Sequence, residues 1–258
     1  MADTIVTALI SAVAALGAAA IPVVYKARQA RRKTDQLVSD AANQAAAQLP
    51  YVVESELLSL RFGDDGSGEY RRELRGISVR QEIQNLRIPF KWDVACPGAK
   101  LLQPFGGPAS ASDPPVDLEI RESTDKGSKG DVVINAFLSP RGDPVSVVFG
   151  QPFAKAVCMT RSEAEAAYRN DAWRTEYIVG SPGTRAKTLR VQVDFPPGQR
   201  QLTQRPRPVV FQAKAEEVHG SELGRVQDRL SYIDGRAILT VDDPVVGLRY
   251  GISWMPPG

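Results

Sequence analysis

The chain has 258 residues, 43% of them hydrophobic, enough apolar material for one large domain or two small ones. Its 32 Lys and Arg against 30 Asp and Glu, a formal charge of +2, and a mean hydropathy of −0.23 exclude a strongly basic nucleic-acid binder and a polytopic membrane protein as descriptions of the whole. The charge is unevenly placed: residues 1–25 hold one charged side chain, Asp3, residues 26–33 hold five cations, and the remainder is slightly acidic.

From Thr4 to Tyr25 no side chain is charged, and a helix of that length measures about 33 Å, close to the roughly 30 Å of bilayer hydrocarbon. Thr4, Ile5, Leu9, Val13, Leu16, Ile21 and Tyr25 mark the expected span. The hydroxyls of Thr4, Thr7 and Ser11 can bond back to helix carbonyls, and Pro22 falls in the last turn, where a kink is tolerated. Lys26, Arg28, Arg31, Arg32 and Lys33 follow directly. Cations beside a span are retained on the cytoplasmic side. The expected topology is therefore one pass through the inner or plasma membrane, with the C-terminal part cytoplasmic and the basic run against the anionic leaflet. Three other readings stay open for this segment. It could be a cleavable signal using Ala18 and Ala20, an interfacial helix, or an Ala-rich helix buried between copies in a soluble assembly. A nucleic-acid patch is not expected, because the basic bias does not recur later with interleaved aromatics.

Residues 34–48 continue as a helix capped by Thr34 or Asp35 and ended by Pro50. Its stripe of Leu37, Val38, Ala41, Ala45 and Leu49 can pair with a second copy or pack on its own domain. The expected organisation is a transmembrane or oligomerisation helix at 1–25, a basic juxtamembrane helix at 26–50 and a β-rich domain at 51–258. A split of that domain near 103–117 is left open.

After Pro50 the texture changes to short β-like runs. Residues 51–62 alternate partially and end at the turn sequence GDDGSG. Residues 70–86 show no clear period. Residues 87–94 read as a strand with Ile88, Phe90 and Trp92 on one face, and Pro89 puts it at an edge or a strand start. The Pro, Gly and Ser of 103–117 predict a long loop, and 123–131 another. Residues 131–138 and 144–150 predict two strands joined as a hairpin by SPRGD. Capping-box spacing at Thr160 and Glu163, and again at Ser162 and Glu165, predicts a helix continuing to Trp173.

The last third is the clearest. Leu189, Val191, Val193 and Phe195 alternate with Arg190, Gln192 and Asp194, the pattern of a half-buried strand. Further strands are expected at 208–216, 236–241 and 247–254, the last with Leu248, Tyr250, Ile252 and Trp254 on one face. The expected fold is mainly β, an antiparallel β-sandwich or open barrel preceded by a long N-terminal helix.

No residue set identifies a reaction. His219 is the one histidine, and its surroundings read as a polar loop. Glu216, Glu217 and His219 lack the HExxH order of a zinc site. Cys96 and Cys158 form no CxxC; a cytoplasmic setting predicts two thiols, an extracytoplasmic one a disulfide. Asp64-Asp65 and Asp242-Asp243 are read as turn residues, and GSPGTRAK (180–187) as a loop. Arg200, Arg205 and Arg207 form a candidate anion-binding patch for a ligand or lipid headgroups. No catalytic, cofactor or metal residues are assigned.

RIPFKWDVA resembles a segment found in multidomain actinobacterial signalling and conflict proteins ahead of a nucleotide-binding module, and GLRYGISWMPP resembles the closing strand of small β-sandwich modules in such systems. The resemblance covers about 20 residues and implies a membrane-anchored β-rich module in bacterial immunity, with no site carried over. The expected function is a non-enzymatic, membrane-tethered cytoplasmic module. It would bind a protein or small ligand, self-associate, and act as an effector or sensor. The alternative is a soluble structural assembly subunit whose N-terminal helix is buried between copies.

Overall fold

The computed structural model describes residues 50–92, 102–123, 128–155, 160, 162, 176–180, 185–196, 205–211 and 221–255. The expected span, the basic run and the helix at 34–48 lie outside these residues, as does all but Thr160 and Ser162 of the helix expected from 160. Among the described residues no helix is long and apolar enough to cross a membrane.

In chain order the elements are β1 (Tyr51–Phe62), β2 (Gly68–Val79), β3 (Ile83–Trp92), β4 (Phe105–Pro108), β5 (Leu118–Ser123), β6 (Ser128–Leu138), β7 (Val145–Phe153), β8 (Glu176–Gly180), β9 (Arg185–Asp194), β10 (Arg207–Phe211), α1 (Ser221–Gln227), β11 (Leu230–Ile233), β12 (Arg236–Asp242) and β13 (Arg249–Trp254). The protein is β-rich. A seven-stranded sheet has the order β11-β12-β9-β1-β2-β7-β4, and two three-stranded sheets have the orders β10-β13-β8 and β3-β6-β5.

One pairing departs from the antiparallel expectation. β1 and β9 run parallel, Val52 opposite Arg185 through Arg61 opposite Asp194, so the large sheet is mixed. Strand periodicity carries no information on direction, which is decided by the path the chain takes between the two strands.

The partial alternation of β1 also has a structural cause. Its buried positions switch from Tyr51 and Val53 to Glu56, Leu58, Leu60 and Phe62. β2 switches between Leu74 and Ile77, and β9 between Ala186 and Leu189. The skipped residues are neighbours: Ser55 lies opposite Arg75 on one side and Thr188 on the other. Three strands therefore reset their pleat at one level, as a bulge does within a single strand, and the same side of the sheet stays turned to the core.

The small sheets pack on that inner face. Trp254 of β13 stacks on Phe62 of β1 with ring centroids 6.1 Å apart, and Phe90 of β3 meets Phe149 of β7 at 6.0 Å. Residues of all three sheets join one hydrophobic cluster. Two charged side chains lie inside it: Arg72 donates from Nε to Glu56 Oε1 at 2.9 Å and from Nη1 to the Pro89 carbonyl at 3.0 Å, linking the large sheet to β3.

Several expectations are corrected. The predicted strands at 131–138 and 144–150 form, but β6 pairs with β3 and β5 while β7 pairs with β2 and β4. The connection between them, with Pro140 and Pro144, passes from one sheet to another and closes no hairpin. Part of the expected loop at 103–117 is the edge strand β4, and β5 and β6 take up most of the loop expected at 123–131. Residues 70–86 divide between β2 and β3. β8, α1 and β11 were not expected. Pro89 does lie in an edge strand, β3.

Candidate functional site

A cleft of about 640 Å³ opens where β1 and β9 end beside the β11–β12 turn, lined by Arg61, Phe62, Asp194, Phe195, Ile233 and Arg236 among others. Its floor is aromatic. Phe195 meets Phe62 and Trp254 edge-on, each at 5.4 Å, and Tyr232 at 5.9 Å. Each such contact adds about 0.5–1.5 kcal/mol beyond area burial, so the floor is stiff before any ligand arrives.

The rim is charged because of register. Arg61, Asp194 and Arg236 occupy outward positions on β1, β9 and β12, and the pairing sets each beside the next. Asp194 accepts from Arg236 Nε at 2.6 Å and from the Gln192 amide at 3.1 Å, and it lies 3.7 Å from Arg61 Nε. Its acceptors are thus occupied, while the Nη groups of both arginines have no partner among the described residues. Two guanidinium forks on a fixed carboxylate can receive a small anion, carboxylate or phosphate, in the planar geometry that arginine favours. Asp64 and Asp234 also line the cleft and disfavour ligands with extended negative charge.

Two turns shape the mouth. Asp234 and Gly235 both have positive φ, 51° and 76°, the conformation of a two-residue hairpin that Asp-Gly adopts readily; Phe195 N–H donates to the Gly235 carbonyl at 2.8 Å. On the other side, Asp65 Oδ1 accepts from the Ser67 hydroxyl at 2.6 Å and the Ser67 N–H at 3.0 Å. These bonds hold the Asp65 carboxyl below its usual value.

A second polar cluster surrounds Tyr250. Its hydroxyl donates to Glu222 Oε1 at 2.6 Å and accepts from Val245 N–H at 2.8 Å, while Arg225 donates to the same Glu222 oxygen. Burial, then the Glu222 hydrogen bond, pushes the phenol well above its usual range. These contacts fasten α1 to β13 and the β12–β13 turn.

Of the candidate anion-binding arginines, Arg205 and Arg207 are exposed at the start of β10, and Arg200 lies outside the described residues. Neither Arg205 nor Arg207 lines the cleft. Cys96, Cys158 and His219 also lie outside the described residues. Asp64-Asp65 sit in a turn, as expected, whereas Asp242 closes strand β12 opposite Thr188 and only Asp243 enters the bend after it. Sequence reading missed Arg61, Asp194 and Arg236. The available signal was a charged outward residue at the end of each of three strands, but which strands are neighbours is not encoded locally. Among the described residues, no group of three or more His, Cys, Asp or Glu is placed to hold a metal.

No family model and no curated protein matches this chain. Among solved structures, it is similar to an M1 zinc metallopeptidase from Deinococcus radiodurans, with 12% identity over 80% of this chain and 42% of that one and a TM-score of 0.33. It is also similar to a putative protease from Parabacteroides distasonis, with 10% identity over 80% and 41% and a TM-score of 0.37. The leukotriene A4 hydrolase of Saccharomyces cerevisiae shares 10% identity over 79% of this chain and 29% of that one, with a TM-score of 0.37. The chain spans less than half the length of each, and likeness at this level assigns neither family nor activity.

Proposed function

We propose that this protein is a membrane-tethered, non-enzymatic binding module: a β-sandwich-like unit held at the cytoplasmic side of a membrane by one N-terminal span. The observation that carries the reading is the charge partition, an uncharged Thr4–Tyr25 followed at once by Lys26, Arg28, Arg31, Arg32 and Lys33. A spanning length and a positive-inside flank occur together. The cleft over Phe62 and Phe195, with the Arg61 and Arg236 forks at its rim, is the ligand site of this reading. A stiff apolar floor with a few convergent polar groups is the usual make-up of a binding pocket.

The test is extraction of the full chain from bacterial membranes with alkaline carbonate, followed by protease protection of residues 1–60. The chain is expected to stay in the membrane pellet, with the β-rich unit digested only from the cytoplasmic side. A chain that is soluble and monodisperse without detergent overturns the tether. Uniform particles of such a chain would point to the assembly-subunit alternative.

A further inference from the structure

We infer that the outer face of the seven-stranded sheet lies against the anionic leaflet of the membrane that tethers the chain. The inference rests on the tether reading and adds which surface the β-rich unit turns to the lipid.

The outer positions form rows across adjacent strands. Arg236, Asp194 and Arg61 are successive neighbours on β12, β9 and β1, with Glu69 of β2 opposite Arg61. The next rows inward hold Arg71 and then Glu73, and beyond them Arg75. Formal charges on this face nearly balance, but the two signs sit at different depths. The Asp194 and Glu73 side chains are 17% and 7% exposed, whereas those of Arg61, Arg236, Arg75 and Arg71 are 77%, 52%, 57% and 41% exposed. Glu73 is gripped by Arg71 and Arg75, its neighbours along the same strand, and Asp194 lies between Arg61 and Arg236. Arg190, exposed in the middle of β9, has no partner among the described residues. Asp194 and Glu73 thus lie beneath the guanidiniums that hold them, whereas Glu54 and Asp242, 68% and 59% exposed, stand at the far end of their strands from Arg61 and Arg236, and Glu69 stands beside Arg61.

A flat anionic surface at contact distance meets these guanidiniums before the carboxylates beneath them, and at a Debye length of about 8 Å the nearer charges dominate. Basic side chains at such a surface are attracted to acidic headgroups. The cations on β12, β9, β1 and β2 extend over about 14 Å at normal strand spacing, a patch that several headgroups can meet at once. Ile233, 68% exposed, stands opposite Arg236 in the β11–β12 pair and offers an apolar side chain at headgroup depth. Proximity favours phospholipid over an acidic protein or a nucleic acid, since the proposed tether holds such a leaflet close by.

The full chain is reconstituted in vesicles of phosphatidylcholine alone and of phosphatidylcholine with phosphatidylserine. Phenylglyoxal modification of each arginine is then followed by mass spectrometry. On the anionic vesicles Arg61, Arg75, Arg190 and Arg236 should react at about one third of the rate or less. Arg141, exposed in the β6–β7 connection, should be unchanged. The protection should vanish at about 0.5 M NaCl, where screening shortens to roughly 4 Å, and weaken in Arg190→Glu, which removes no internal contact. Equal rates on both vesicles overturn the inference, as does equal slowing of Arg141. Protection by RNA or by an acidic polypeptide in the absence of acidic lipid reassigns the face to that partner and also overturns it. If carbonate releases the chain while added protein still shows lipid-dependent protection, the tether fails and the face stands. A retained chain without protection gives the reverse.

Discussion

Replacing Arg72 by Met tests how the two charges inside the core are held. The Glu56 and Arg72 side chains are 1% and 10% exposed. Glu56 has one oxygen bonded to Arg72, and its Oε2 is buried without a hydrogen-bond partner among the described residues. Arg72 also serves the Pro89 carbonyl and lies 5.8 Å over the Phe149 ring. Removing the guanidinium leaves a buried carboxylate with no countercharge, which costs about 3–5 kcal/mol. For a domain of this size each kcal/mol shifts Tm by about 2–4 °C, so Arg72→Met should melt some 10–15 °C below the parent chain. Replacing both residues, Glu56→Leu with Arg72→Met, removes the charge along with its partner and should recover most of that loss, to within about 2 kcal/mol of the parent. Thermal unfolding of the full chain in detergent, followed by circular dichroism, reads all three proteins. A single variant within about 1 kcal/mol of the parent, or a double variant less stable than Arg72→Met, refutes the assignment of this pair as a closed, buried unit.

Tyr250→Phe should cost about 1–3 kcal/mol, because the Val245 N–H and Glu222 both lose the hydroxyl; urea unfolding measures it. The same phenol keeps its proton in the folded chain at pH values where the unfolded chain loses it. Stability from this group is therefore intact below the ordinary value of 10.0 and falls as pH rises above it. Alkaline absorbance titration should find at least one of the seven tyrosines ionising only on unfolding. Ser67→Ala should return the Asp65 carboxyl toward 3.8, read by carbon-detected NMR titration. In the parent this group's contribution is present above 3.8 and is lost as pH falls through the lowered folded value. Gly150→Ala should destabilise by more than about 2 kcal/mol, since a Cβ there meets the Tyr70 carbonyl and the Phe105 ring. Gly107→Ala, with nothing within 4 Å of its added carbon, should stay within about 0.5 kcal/mol of the parent. Melting temperatures compare the two.

Strands with strict alternation were legible at once. Leu189, Val191 and Val193 are fully buried, and Leu248, Tyr250, Ile252 and Trp254 nearly so, because a pleat alternates sides every residue and the apolar side must find a core. The turn at 63–67 was equally readable, since Asp65 and Ser67 make their bonds within the turn itself. Residues 70–86 were not legible, because β2 resets its pleat between Leu74 and Ile77, turns Arg72 inward and covers the outward Glu73 with Arg71 and Arg75; a strand carrying buried charges on both faces shows no apolar period. The strands 131–138 and 144–150 were legible as strands and misread as partners, because a short connection favours a hairpin and only packing reveals that the two belong to different sheets.

By itself the sequence determined the β-rich character after Pro50, most of the buried faces in the last third, and the charge partition on which the proposed tether rests. These depend on neighbours along the chain, through side-chain periodicity and local charge density. Tertiary structure alone decided that β1 and β9 lie side by side and parallel, and it thereby set Arg61 beside Asp194 and Asp194 beside Arg236. It also buried Arg72 and Glu56 between sheets and set Asp194 and Glu73 beneath their arginines on the outer face. Each of these joins residues far apart in the chain, and their meeting depends on which strands pair once the apolar faces close on one another.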